Sequence, residues 1–194
     1  MLGLIAFAVA AGCLLGLSAL MVVSLLAPER RLWPAGDDDR KRRLYLAFSR
    51  PLLPAVFATG VLDWNAGPLA APWHLGVGAV GVPIAFAVLN RSAADLGEAA
   101  TEGREDELRT EGLYRYTRNP QNVGYVLLFA ASAVLANSPL VGALAVATAA
   151  FSVLQVLAEE TWLRDVYGDA YDEYCERVPR FVGVRTLTRV LDDD

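Results

Sequence analysis

Two short stretches hold most of the side chains in this chain that could do chemistry. The first, EGLYRYTRNPQNVGYVLLF (111–129), sets two arginines, three tyrosines and an Asn-Pro step directly ahead of an apolar run. The second, EETWLRDVYGDAYDEYCERVPRF (159–181), opens on the adjacent carboxylates Glu159 and Glu160 and continues through Tyr167, Tyr171, Tyr174 and Arg180. Guanidiniums, carboxylates and phenols pair charges, exchange hydrogen bonds and offer ring faces to cations. Metal chemistry is a poor match: the two cysteines, Cys13 and Cys175, lack ligand spacing, and the single His74 cannot hold an ion alone. One cysteine sits in an apolar run and the other in a charged tail, so a disulfide between them is not expected. His74 reads as an interfacial residue beside Trp73.

The elements that must position these groups follow from the composition. Of 194 residues, 55% are hydrophobic and the mean hydropathy is +0.35, above the roughly 45–50% apolar content of a soluble globule. Long apolar runs alternate with short, densely charged ones, the pattern of a polytopic, all-α membrane bundle. Residues 2–27 carry no charge and would span about 39 Å as a helix, a retained crossing rather than a cleaved leader. Four more crossings are expected over 44–62, 73–90, 123–136 and 140–158. The second contains Pro51 and Pro54 and should kink; Arg50, near its start, can snorkel toward the surface. The last two are separated by NSP (137–139) alone, which makes a tight helical hairpin. The chain divides into three N-terminal crossings (1–90) and a part holding the chemistry-bearing stretches (91–194) within a single membrane domain.

The net charge of −5 argues against nucleic acid as a partner. Sixteen of the seventeen basic residues are arginine, and all fall in 28–43, 91–118 and the tail after Glu159, apart from Arg50. The 63–72 and 137–139 turns carry none, so the positive-inside rule puts the N-terminus outside and the C-terminus in the cytoplasm, in the cell membrane. The tight hairpin then sets Tyr114, Arg118 and Asn119 beside Glu159, Glu160 and Tyr167. The fifth helix should continue past the membrane, break at Gly168 and restart with Asp169 as N-cap. Tyr167, Tyr171, Tyr174 and Val178 form one stripe that packs on the membrane-proximal core, lines a pocket, or does both. Taken singly, these features have plain explanations. Arg115 and Arg118 serve as membrane anchors, Tyr114, Tyr116 and Tyr125 as an aromatic belt, Asn119-Pro120 as a helix start, and residues 37–39 and 105–107 as solvated loop faces.

Together and in order, the stretches resemble a known family. LRTEGLYRYTRNPQNVG is similar to the GxYRYxRHPxYxG signature of the isoprenylcysteine carboxyl methyltransferases and the related phospholipid methyltransferases. EETWLRDVYGDAYDEYCERVPRF is similar to their EExxLxxxYGxxYxxYxxxVPRF signature, at the separation a helical hairpin requires. The resemblance covers residues 108–182, whereas the first three helices match only in being hydrophobic. Asn119 stands where many members have His, and Asn122 where they have Tyr; Asn119 keeps the turn and cannot titrate. The resemblance implies an integral membrane methyltransferase using S-adenosylmethionine on a lipophilic acceptor, such as a prenylcysteine carboxylate or a phospholipid. It implies catalytic roles for Arg118, Asn119 and Glu160. It places the cofactor against Leu113, Tyr114, Arg118, Asn119, Pro120, Glu159, Glu160, Tyr167, Tyr171 and Arg180. Carboxylates suit its hydroxyls and ammonium, a guanidinium its carboxylate, and tyrosine faces its adenine and sulfonium. A membrane reductase using NADPH and a non-catalytic scaffold of the same fold stay open as alternatives.

Overall fold

The computed structural model describes residues 1–70, 72–97, 107–183 and Thr186. Among them are six α-helices and no strand: α1 (Leu2–Leu26), α2 (Asp39–Leu62), α3 (Trp73–Leu96), α4 (Pro120–Ala136), α5 (Pro139–Tyr167) and α6 (Asp169–Arg177). Short 3-10 turns occupy Pro28–Arg30 and Gly112–Arg115. Helices α1, α2, α3 and α5 are long and apolar enough to cross a membrane, and α4, at 17 residues, sits at the short end of the crossing range. The result is the expected polytopic bundle.

Helix α1 is apolar on every side, so its packing face shows only in burial. Ala10, Cys13, Leu14, Leu17, Leu20, Met21 and Ser24 recur at helical spacing and are buried, while Leu2, Leu4, Ile5 and Leu15 stay exposed to the surroundings. Ser24 ends this stripe with a task. Its hydroxyl accepts from the backbone N–H groups of Leu32 (3.0 Å) and Trp33 (2.9 Å), which turns the following loop back over the bundle. Asp38 then caps α2, accepting from the N–H groups of Arg40 and Lys41. Those two bonds hold its carboxyl below the usual carboxylate range.

Helix α2 starts at Asp39, ahead of the expected boundary at 44, because this cap lets the charged segment join the helix. It runs unbroken through Pro51 and Pro54. Helices α3 and α4 approach closely through small residues. A Cβ on Gly78 would collide with Leu135, and one on Gly81 would lie 3.0 Å from the Ala131 Cβ. His74, expected at the interface, lies at the start of α3 and is buried, with its Nδ1 unpartnered among the described residues, while its neighbour Trp73 is exposed.

The hairpin forms as its sequence demands. Asn137 takes the left-handed conformation (φ 46°), and Ser138 caps α5 by accepting from the Val141 N–H. The Asn137 side chain also fastens the 63–69 turn: its Nδ2 donates to Asn65 Oδ1 and the carbonyls of Gly67 and Leu69, and its Oδ1 accepts from the Leu69 N–H. Helix α5 extends to Tyr167, well beyond the apolar segment, and ends at Gly168 (φ 53°). Gly168, rather than Asp169, is the N-cap of α6; Asp169 is the first helical residue and makes no side-chain cap bond. A positive φ favours glycine there.

Candidate functional site

The charged ends of α4 and α5 stand side by side, and the stretches they carry are stitched together by hydrogen bonds. The Arg118 N–H donates to the Pro179 carbonyl at 2.9 Å, and Thr117 Oγ1 (3.1 Å) and Asn119 Nδ2 (2.9 Å) both donate to the Arg180 carbonyl. The Tyr174 hydroxyl donates to the Tyr114 carbonyl at 2.7 Å. Both halves of the expected site therefore meet in one place.

From the other side, α3 supports the Gly112–Arg115 turn. Asp95 accepts from the Leu113 N–H at 2.8 Å and is paired to Arg91. Gly112 takes φ 58°, and any side chain on it would strike the Asp95 carboxylate. Asp95 does not stand out in the sequence, because its partner is a backbone group.

At the centre is a buried charge cluster. Glu160 is 3% exposed. It accepts two bonds from Arg180, Nε to Oε1 at 2.8 Å and Nη2 to Oε2 at 2.7 Å, and its Oε1 lies 3.1 Å from Arg118 Nη1. Two guanidiniums around one carboxylate leave a net positive charge. Arg118 also meets Cys175 Sγ, and its Nε is buried without a partner among the described residues. The Tyr171 ring is flanked by Arg118 and Arg164, whose guanidinium carbons lie 6.0 and 5.9 Å from its centroid. Burial, followed by the nearby Glu160 and Cys175 charges, pushes the Tyr171 phenol up. Burial and the charge of Glu159 do the same to Tyr114. Both phenols stay protonated at neutral pH, as hydrogen-bond donors rather than bases. The Glu160 bonds hold the Arg180 guanidinium firmly charged.

Next to this cluster opens a cavity of about 640 Å³. Tyr114, Arg118, Asn119, Glu159, Tyr167 and Tyr171 line it at the charged end. Further in, its walls are Leu17, Leu52, Leu53, Phe129 and Phe151. Glu159 is positioned by Trp33 Nε1 (2.6 Å) and Gln155 Nε2 (2.9 Å), which both donate to Oε1. Oε2 accepts no bond within the described residues. Trp33 itself is buried and stacks on Tyr45, with ring centroids 3.8 Å apart.

Four of the expected site residues are not on this wall. Glu160 and Arg180 lie behind Arg118, engaged with each other. Leu113 and Pro120 face a separate, apolar groove with Val88, Val123 and Val182, and the Leu113 N–H is already taken by Asp95. Trp33, Tyr45 and Gln155 were not expected at the site. Only Trp33 left a signal in the sequence, as an aromatic residue set between prolines in the 28–43 loop.

The tyrosine stripe does both things open to it. Tyr171, Tyr174 and Val178 are buried together, and Tyr167, Tyr171 and Tyr174 border the cavity.

The cavity is thus lined by charge at one end and by hydrocarbon at the other, within a bundle that includes four helices of membrane-crossing length. The family model for phospholipid methyltransferase matches residues 73–170, just over half of the chain, and the protein belongs to that family. The match takes in α3, which the signature stretches alone did not reach, and stops short of most of α6. No curated protein and no solved structure matches the chain.

Proposed function

We propose that the protein is an S-adenosylmethionine-dependent methyltransferase that modifies a lipophilic acceptor within the bilayer. Family membership supports a membrane methyltransferase in general. The observation that carries the finer reading is the pairing of a net-positive Arg118–Glu160–Arg180 cluster with the uncommitted Glu159 oxygen at the mouth of an apolar cavity. The donor set fits the cofactor. Arg118, with its orphaned Nε, would take the carboxylate, and Glu159 Oε2 the ammonium or a ribose hydroxyl. Tyr114, Tyr167 and Tyr171 would enclose the remainder, and S-adenosylmethionine supplies an electrophilic methyl group when bound.

In this reading Glu160 and Arg180 position Arg118 rather than touch the ligand. Asn119 acts through its amide clasp on the Arg180 carbonyl, a role that needs no titration. Leu113 and Pro120 set the turn that carries Tyr114. The hydrocarbon walls hold the acceptor's chain and keep water away, so an in-line displacement proceeds in a dry, pre-oriented site. The charged end faces the cytoplasm of the cell membrane, following its concentration of arginine.

Calorimetry on detergent-purified protein tests this directly. S-adenosylmethionine should bind, and Glu159→Gln should weaken it about tenfold or more. Binding of NADPH instead would favour a reductase, and binding of neither a scaffold.

A further inference from the structure

Arg50 lies outside the family-matched region and outside the cluster just described. Helix α2 opens on the charged residues 39–43, so its apolar part begins at Leu44, and Arg50 is an exposed residue about a third of the way along that part. It is six residues beyond Leu44, the first apolar residue of the helix, or about 9 Å deeper at the helical rise. It has no hydrogen bond or ion pair among the described residues, yet it lines the cavity together with Ser49 and Leu53. Helix α2 packs chiefly along α1 and touches α4 and α5 more sparingly, and Arg50 is exposed as well as bordering the cavity. An unpaired guanidinium at membrane depth is costly, and one that borders a cavity calls for an anion.

Its depth says more. Tyr45 stacks on Trp33, and Trp33 bonds to Glu159, which puts Tyr45 level with the proposed donor end. Arg50 follows Tyr45 by five residues, about 7.5 Å further into the bundle. An anion held at the level of the Arg50 backbone is a different group from the one that receives the methyl at the donor end.

We propose that Arg50 selects the acceptor: it binds an anionic group of the acceptor lipid, such as a phosphodiester, set a few bonds from the atom that is methylated. This rests on the methyltransferase reading for its role in turnover, but the binding of the anion does not. A carboxylate that is itself methylated would lie at the donor end and gain nothing from Arg50.

Two measurements test it on the full-length protein in bilayer nanodiscs. The first needs no methyl donor: native mass spectrometry of the retained phosphatidylglycerol relative to diacylglycerol. Arg50→Gln should lower that ratio about tenfold, as expected for loss of a charge-assisted bond, and Arg50→Lys should restore part of it. An unchanged ratio overturns the proposal and leaves Arg50 as a surface-seeking anchor. The second is transfer from labelled S-adenosylmethionine to phosphatidylethanolamine, to farnesylcysteine and to hexadecylamine. Arg50→Gln should raise KM about 10- to 100-fold for phosphatidylethanolamine with kcat little changed, and leave the other two acceptors unaffected. Equal loss on all three would make Arg50 structural and also overturn the proposal. Absence of transfer by the parent protein counts against the methyltransferase reading, while the retention ratio still decides Arg50.

Discussion

Removing the charge of Glu160 while keeping its shape, Glu160→Gln, is the most searching perturbation of the cluster. The carboxylate is 3% exposed and takes contacts from two guanidiniums, at 2.7, 2.8 and 3.1 Å. Its partners are unequal. The Arg118 side chain is 10% exposed and that of Arg180 is 42% exposed. After the change Arg180 can rehydrate, whereas Arg118 keeps a buried and largely uncompensated charge. Breaking a buried pair by removing one partner costs about 3–5 kcal/mol, while exposed pairs contribute about 0–1 kcal/mol. Most of the loss should therefore come from the Arg118 side, and a total of about 3 kcal/mol is expected. Two double-mutant cycles, Glu160→Gln with Arg118→Gln and with Arg180→Gln, would apportion it by denaturant unfolding in mild detergent. The first coupling should exceed the second. Because Arg118 also borders the cavity, the Kd for S-adenosylmethionine should rise about tenfold or more. A loss below about 0.5 kcal/mol together with unchanged cofactor affinity would refute the reasoning, since the cluster would then neither hold the fold nor aim Arg118.

Other consequences can be measured singly. Tyr114 and Tyr171 have folded pKa values above their unfolded ones, so the stability they contribute is full below about pH 10 and is lost as pH rises from there toward the folded values; their phenolate absorbance should appear only with unfolding, and Tyr114→Phe should soften the alkaline transition. Asn137 uses both a left-handed backbone and a set of side-chain bonds; Asn137→Ala should therefore be about 1 kcal/mol less stable than Asn137→Gly in thermal unfolding, from the backbone alone. Gly78→Ala would force a methyl against Leu135 and should cost about 1–3 kcal/mol, read as a lower thermal midpoint. Trp33→Phe removes one donor to Glu159 while keeping a ring against Tyr45, and should weaken cofactor binding more than it weakens the fold.

The bundle was legible because hydrocarbon length is a property of single segments. The union of 111–129 with 159–181 was legible for a different reason: NSP leaves no room for any connection but a hairpin. What stayed hidden depends on contacts between segments with no periodic relation. Trp33 reaches Glu159 only because Ser24 bends the loop, and nothing in PERRLWPAG announces that bond. Glu159 and Glu160 look equivalent in sequence, but about 100° of helical turn separates neighbours; one therefore borders the cavity and the other is locked behind it. Helix α2 starts ahead of the expected crossing because the change from polar to apolar marks a membrane boundary, whereas a helix begins at its cap, Asp38.

The cavity is walled by two parts of the chain with different standing. Leu17, Trp33, Tyr45 and Arg50 come from the front third, which lies outside the family match, whereas Tyr114, Glu159 and Tyr167 lie within it. The two parts are joined where Trp33 of the front third donates to Glu159 of the matched part; an exchange of the first two helices would therefore rebuild one wall of the cavity and leave the other standing only if the loop that carries Trp33 were kept.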